Sequence, residues 1–268
     1  MKAFFQWTAW PMVKPVAYGA FHLTFFIGGV ILSVLLAFLL RKANEKQNKL
    51  ILGTAGGFLL LTEIYKQLFY TLVIGGGKYQ WWIFPFQLCS IPMYFCLIAP
   101  FIKPGKVQKG MYNFMLAFNL MSGFIAFIEP SGLVHEYWTL TLHAFIWHML
   151  LVFIGLYIGF SGRAGLHLKD YKYAIVTFVI LCVIAFSFNL LFWKMPAATD
   201  NPGGHMNMFY VGPADSPLIV FKDFCKNLGW YVNTPIYIAC LCVAAFIFYL
   251  PFPLLRKGKS PQKAFKKY

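Results

Sequence analysis

Cys89 is the residue best placed for covalent chemistry, because it lies in a segment that is otherwise apolar and aromatic. The segment WWIFPFQLCSIPMYFCLIAPF, residues 81–101, sets this thiol between Pro85 and Pro92. Proline offers no N–H to the carbonyl of Leu88, so we expect a kink and an unpaired carbonyl in the turn that holds Cys89. A thiol becomes a nucleophile when a base takes its proton. The alternative is a small packing residue beside a proline kink.

His148 is the candidate for that base. Cys89 lies 8 residues after Trp81, and His148 lies 10 residues after Trp138. With a rise of about 1.5 Å per residue, both side chains should sit roughly 12 to 15 Å below the same membrane boundary. His143 is about 140° away from His148 around the helix, so only one of the two histidines is expected to reach a shared pocket.

Four more polar residues fall in the same half of the membrane. Counting back from the helix ends places Glu63, Lys66, Asn119 and Asn189 at roughly 8 to 17 Å below that boundary. Polar side chains inside a bilayer are costly unless they are paired or line a wet cavity, so the clustering predicts a polar pocket that opens to the outer leaflet. Two alternatives stay open. Glu63 and Lys66 can neutralise each other at i,i+3, and the two asparagines can join helices by hydrogen bonds.

The elements that would position these residues are membrane-spanning helices. The chain has 268 residues, of which 60% are hydrophobic and 20% aromatic, and its mean hydropathy is +0.65. Such values exclude an ordinary soluble protein and predict an all-α polytopic membrane protein. Seven segments reach the length of about 20 apolar residues that a bilayer requires. They are residues 17–41, 49–74, 80–102, 109–130, 138–161, 171–194 and 229–254.

The positions of the basic residues predict how the chain crosses the membrane. The loops after the first, third and fifth predicted helices, with the tail, hold 16 Lys and Arg residues, whereas the opposite side holds 6. The positive-inside rule then predicts an extracytoplasmic N-terminal segment 1–16, an outer loop 195–228 and a basic cytoplasmic tail 255–268, in a multi-pass protein of the cell membrane. The tail would touch anionic lipid headgroups, so the net charge of +15 requires no nucleic acid partner.

No metal or cofactor site is predicted. Six cysteines are present without a CxxC pair, which supports neither a zinc site nor a disulfide framework. His205 could bind a metal with Asp200 or Asp215, but a single loop histidine is more often solvated.

Several motifs together resemble the YwaF-like family of bacterial seven-helix membrane proteins, which is related to the animal acyltransferase called transmembrane protein 164. The motifs are LLLTEIYKQLFY, FPFQLCSIP, WHMLLVFIGLYI, NMFYVGPADSPL and LGWYVNTPIY. The resemblance covers most of the chain from about residue 50. The chain departs from the family where Gln87 replaces a frequent histidine and where Met208 replaces a frequent tyrosine.

The resemblance implies a cysteine-dependent phospholipid acyltransferase or acyl hydrolase. Cys89 would attack the acyl ester of a membrane lipid, and His148 would act first as general base and then as general acid. Asn189, Asn207 or Tyr210 would stabilise the oxyanion or the headgroup. The full set of predicted substrate-binding residues is Glu63, Lys66, Gln87, Asn119, Asn189, Asn207 and Tyr210.

Two alternatives use the same pocket without covalent chemistry: a lipid-binding protein and a small-molecule transporter. The lack of an internal repeat argues against a transporter. A retinal protein is excluded, because residues 229–254 contain no lysine for a Schiff base. The sequence leaves the acyl donor, the acceptor and the oligomeric state open.

Overall fold

The fold consists of helices joined by turns. The computed structural model describes residues 2–165, 167–193, 206–214, 216 and 218–256. Its α-helices are, in chain order, α1 Lys2–Trp7, α2 Ala20–Leu40, α3 Glu45–Phe69, α4 Ile91–Ile98, α5 Lys106–Phe114, α6 Leu120–Ile128, α7 Trp138–Ser161, α8 Tyr171–Leu191, α9 Ile219–Leu228, α10 Trp230–Tyr249 and α11 Pro251–Arg256. The predicted all-α class is confirmed.

Among the described residues, six helical stretches are long and apolar enough to cross a membrane. They are Ala20–Leu40, Glu45–Ile74, Lys106–Ile128, Trp138–Ser161, Leu168–Leu191 and Trp230–Leu255. Each overlaps one of the predicted spans, and the fifth predicted span matches α7 at both ends. The protein is therefore a multi-pass membrane protein. The direction in which the chain crosses the membrane stays a prediction.

The third predicted span, residues 80–102, is not one continuous helix. Two short 3₁₀ turns, Trp81–Ile83 and Leu88–Ser90, lead into α4, and the apolar helix Leu88–Ile98 is too short to count among the spans. Pro92 lies in the first turn of α4, where a backbone N–H has no helical partner in any case. The predicted kink inside a longer helix is wrong, because the helix begins beside Cys89 and does not pass through it.

Two membrane helices contain a π-helical turn. Tyr70–Ile74 continues α3, and Met115–Asn119 joins α5 to α6. Such turns are rare in proteins, and many of those that occur lie at functional sites. Here the first lines a cavity of about 890 Å³, and the second holds a predicted site residue, Asn119.

Small residues bring α7 close to its neighbours at the centre of the fold. A β-carbon added to Gly123 would lie 2.9 Å from a side-chain carbon of Val152, and one added to Gly155 would lie 2.7 Å from the side chain of Leu120. Glycine at these positions lets the backbones pack closely, as is common between membrane helices. Most of α7 beyond Leu151 is buried, so it provides a fixed frame for His148.

The predicted N-terminal segment and outer loop contain structure of their own. The N-terminal segment carries α1 and is tied to the turn before α7, where Met12 N donates to Glu136 O at 2.9 Å and Trp138 N donates to Trp10 O at 2.9 Å. The outer loop carries a 3₁₀ turn, Met208–Tyr210, followed by α9. Residues 257–268, which hold most of the predicted tail, lie outside the described residues.

Candidate functional site

Cys89 lies at the start of the short apolar helix that replaces the third predicted span. Its side chain is half-buried, and its carbonyl accepts a hydrogen bond of 3.0 Å from Nε1 of Trp147 on α7. The neighbouring Ser90 is buried. The bond from Trp147 satisfies the carbonyl at the irregular start of the helix, and it fixes the Cys89 turn at the level of residue 147.

A buried ion pair lies on α3 close to this turn. Glu63 is 2% exposed, and its Oε1 accepts from Lys66 Nζ at 2.8 Å and from Gln67 Nε2 at 2.6 Å. Gln67 Nε2 also donates to the carbonyl of Ile83 at 2.6 Å, so the ion pair is coupled to the segment that precedes Cys89. Glu63 Oε2 and Gln67 Oε1 are buried without a hydrogen-bond partner, which leaves two acceptors for a bound molecule.

The ion pair acts on both Cys89 and α7. The Lys66 ammonium lies 6.0 Å from the ring centroid of Trp147. Lys66 and Glu63 both interact electrostatically with the Cys89 sulfur. A nearby ammonium favours the thiolate, whereas the carboxylate and the apolar surroundings oppose it.

His148 is held in the tautomer that a general base needs. Its Nδ1 lies 2.8 Å from the carbonyl of Ala144. A carbonyl can only accept, so Nδ1 carries the proton and the lone pair of Nε2 is left to receive another. Between the described side chains of Cys89 and His148 there is no hydrogen bond. The two elements meet instead through Trp147, and the ring of His143 packs 5.2 Å from the Trp147 ring.

The turn Met208–Tyr210 is the third part of the site. Phe209 and Tyr210 have φ values of 56° and 55°, a backbone conformation that residues other than glycine rarely adopt. Gln87 clamps this turn: its Nε2 donates to Asn207 O at 3.0 Å, and its Oε1 accepts from Phe209 N at 2.9 Å.

Asn189, on α8, holds the same turn from the other side. Its Nδ2 donates to Met208 O at 3.0 Å and to Val211 O at 2.5 Å, and its Oδ1 accepts from Met208 N at 2.6 Å. Gln87 and Asn189 were predicted to bind substrate. In the structure their amides bind the backbone of this turn and position it, and their contact with a substrate stays a prediction.

Tyr210 is the residue that the clamped turn brings to the thiol. Burial, and then the electrostatic effect of Cys89, raise the pKa of Tyr210 to about 12. The phenol therefore interacts electrostatically with the thiol and stays protonated at neutral pH, so it can donate a hydrogen bond.

Asn119 lies apart from this cluster. It is fully buried, and its Nδ2 donates to Met115 O at 3.1 Å and to Leu151 O at 2.9 Å. These bonds join the second π-helical turn to α7, as the hydrogen-bonding alternative for this residue expects.

Sequence reasoning did not single out Gln67 or Trp147 as site residues. Gln67 could have been found from its spacing, because it lies four residues after Glu63 on the same face of a helix. Trp147 lies four residues after His143, so the two share a face of α7.

No group of three or more His, Cys, Asp or Glu residues that could hold a metal ion occurs among the described residues. The three residues considered as metal ligands in the sequence, Asp200, His205 and Asp215, lie outside the residues that the structure describes.

The comparison with protein families gives one finding. A model described as the TMEM164 family matches residues 17–251. Neither a curated protein nor a solved structure matches the chain.

Proposed function

Because this chain belongs to the TMEM164 family, we propose that it is an integral membrane enzyme that transfers or hydrolyses lipid acyl groups through Cys89. The observation that carries the proposal is the hydrogen bond of 3.0 Å from Trp147 to the Cys89 carbonyl. This bond supports the proposal because Trp147 is the neighbour of His148 on α7, and because its ring centroid lies 6.0 Å from the ammonium of Lys66.

The first half of the reaction forms a thioester. His148 Nε2 accepts the thiol proton as the sulfur attacks the ester carbonyl carbon, and a tetrahedral intermediate forms. The carbon–oxygen bond of the ester then breaks, and the leaving lysolipid alcohol takes the proton from His148. The acyl group remains on Cys89.

The second half removes the acyl group. An acceptor hydroxyl attacks the thioester while His148 takes its proton, and the sulfur leaves and is reprotonated. A lipid alcohol as acceptor gives acyl transfer, whereas water gives hydrolysis.

The negative charge on the oxygen of the tetrahedral intermediate requires a hydrogen-bond donor to stabilise it. The Tyr210 hydroxyl is such a donor, because it is protonated at neutral pH and lies near the sulfur. The amide N–H groups of Asn189 are already used by the turn, so they are not the donors. Tyr210 therefore takes the oxyanion role that the resemblance divided among several residues.

A second candidate function is lipid binding without catalysis. It is favoured by the absence of a hydrogen bond between the described Cys89 and His148 side chains, since a nucleophile and its base are usually within reach of each other. Substrate binding can tighten such geometry, so the two functions separate only in an assay.

The assay measures acyl transfer from phospholipid carrying a radiolabelled acyl chain to the purified protein in detergent. We expect thioester label on the wild type, none on Cys89→Ala, and at least about 100-fold slower labelling of His148→Ala. Cys240→Ala is the matched control, because that thiol is exposed on α10 and should label as the wild type does. Tight lipid binding by the wild type, without label on the protein and without release of lysolipid or free fatty acid, would reject catalysis and support the binding function.

A further inference from the structure

A cavity of about 890 Å³ lies at the end of the molecule where α3 stops and α7 starts. Its lining includes Lys14, Tyr70, Lys78, Gln80, Trp82 and His135. Neither Cys89 nor His148 is among the lining residues, so this cavity is separate from the site of the proposed acyl chemistry.

Hydrogen bonds hold the walls of the cavity. Thr141 Oγ1 accepts from the backbone N–H of His135 at 3.0 Å and lies 3.2 Å from its carbonyl. The Tyr70 hydroxyl lies 3.4 Å from His135 Nδ1. Gln80 is 8% exposed, and its Oε1 accepts from Trp82 Nε1 at 2.8 Å, which leaves its amide N–H groups as donors. The cavity is therefore a built feature with donors in place.

One wall is a glycine turn that follows the first π-helical turn. Gly76 and Gly77 have φ values of +58° and +100°, and a β-carbon on Gly75 would lie 2.3 Å from the carbonyl oxygen of Lys78. Gly75 N donates to Tyr70 O at 2.6 Å, whereas Gly76 N donates no backbone or side-chain hydrogen bond within the described chain. Free N–H groups in turns of this kind favour anions.

The lining carries two lysines, Lys14 and Lys78, against one carboxylate, Glu136, so its net charge is positive. Lys78 makes no ion pair with any described residue, and Lys14 pairs with Glu136 at 3.3 Å across an exposed contact that costs little to break. Burial, followed by the charges of Lys14 and Lys66, lowers the pKa of His135 to about 4. His135 is therefore neutral at neutral pH and adds no charge to the lining.

We propose that this cavity binds a phosphate group carried by an organic headgroup, with Lys14 and Lys78 as its cationic contacts and the N–H groups of Gly76 and of the Gln80 amide as its neutral donors. A phosphate fits because it combines negative charge with several acceptor oxygens. The volume exceeds what one phosphate fills, and Trp82 and Tyr137 offer aromatic surface for the rest of the headgroup. The source of the phosphate is a lipid or a soluble phosphoester.

Two arms of one experiment separate these sources, and both use the full chain carrying Cys89→Ala so that acyl transfer cannot consume a ligand. In the soluble arm, calorimetry in detergent measures the binding of glycerol 3-phosphate. In the lipid arm, native mass spectrometry measures retention of phosphatidylglycerol against diacylglycerol with the same chains. Lys14→Gln/Lys78→Gln is the test variant. Lys103→Gln/Lys106→Gln is the matched control, because it removes equal charge from exposed lysines at the opposite end.

We expect saturable binding that the test variant weakens at least about tenfold and the control leaves unchanged. Lysine-dependent binding in the lipid arm identifies a headgroup site, and lysine-dependent binding in the soluble arm alone identifies a free phosphoester site. No binding in either arm, or equal weakening by both lysine pairs, overturns the inference. The result does not depend on acyl transfer: loss of labelling with normal phosphate binding rejects the proposed function alone.

Discussion

At the scale of single residues, the candidate site depends on which side chains reach the Cys89 sulfur. The ion pair of Glu63 and Lys66 acts on it from α3, and Tyr210 lies near it from the clamped turn. His148 follows Trp147 on α7, and Trp147 donates a hydrogen bond to the carbonyl of Cys89. The roles of base and oxyanion donor therefore fall to different elements, and each role can be tested by one substitution.

His148 should matter more to thioester formation than His143. His148→Ala should slow labelling of Cys89 at least about 100-fold, because the base is lost, and added imidazole should restore part of the rate. His143→Ala should slow it less than about tenfold, since that ring packs on Trp147. Single-turnover labelling measures both rates, and the reverse order would make His143 the base.

Tyr210→Phe should slow thioester formation about 100-fold, because the intermediate loses a hydrogen-bond donor. The fold should be retained, since Gln87 and Asn189 bind the backbone of the turn and not the phenol. Tyr231→Phe, an exposed position on α10, is the control for the loss of a hydroxyl. A Tyr210→Phe rate equal to that of the wild type would remove this residue from the mechanism.

At the scale of elements, the length of the apolar segments predicts most of the helices. The hydrocarbon core of a bilayer has a fixed thickness, so each spanning helix needs about 20 apolar residues. This rule fails for residues 80–102, where Pro85 and the late helix start beside Cys89 interrupt a uniformly apolar segment. It also cannot reveal the partners of Gln87 and Asn189. Their hydrogen bonds with the Met208–Tyr210 turn join residues that are distant in sequence and are set by tertiary packing.

Asn189→Ala should loosen the Met208–Tyr210 turn, because it removes the three hydrogen bonds between the Asn189 amide and the backbone of residues 208 and 211. These backbone groups would then lack a hydrogen-bond partner on α8. We expect a loss of about 2 to 4 kcal/mol in the free energy of unfolding. Hydrogen exchange should accelerate at residues 206–211 before other regions. Ser187→Ala, an exposed change two residues earlier on α8, is the control. Unchanged protection of the turn would show that Gln87 alone holds it.

At the scale of the whole molecule, the two ends of the structure differ in their charged residues, and one of them holds the cavity. The cavity and its lysines lie at the predicted outer end, where the N-terminal segment meets the turn before α7. The opposite end carries the ion pairs of Arg163 with Glu45 and of Lys109 with Asp170. Charge counts in the loops predict the orientation, whereas the cavity depends on segments that are distant in sequence.

Orientation can be read from chemical labelling in intact cells. A cysteine at Lys78→Cys should react with a membrane-impermeant maleimide added outside, whereas a cysteine at Lys103→Cys should react only after lysis. Both variants are made with Cys225→Ala and Cys240→Ala, which remove the native thiol of the predicted outer loop and the exposed thiol of α10. Labelling of Lys103→Cys from outside would invert the topology and would move the cavity to the cytoplasmic face.

The stability of the fold should fall as the pH drops from about 6.5 to 4. The folded state holds His135 neutral with a pKa of about 4, below the usual 6.5, because of burial and then of Lys14 and Lys66. In that window the unfolded chain binds the proton and the folded chain does not, so folding is disfavoured by about 2 kcal/mol at the acid end. Thermal unfolding of the wild type and of His135→Gln at several pH values measures the effect. Identical pH profiles would contradict it.

The most direct test of the account is the mass of Cys89 after contact with lipid. Protein incubated with phospholipid in detergent, without an added acceptor, is quenched in acid, digested and mapped by mass spectrometry. We predict an acyl adduct on the peptide that contains Cys89, which hydroxylamine removes and which is missing from Cys89→Ala. Release of lysolipid by Cys89→Ala at the wild-type rate would contradict this mechanism, because the lipid would then have been cleaved without this thiol.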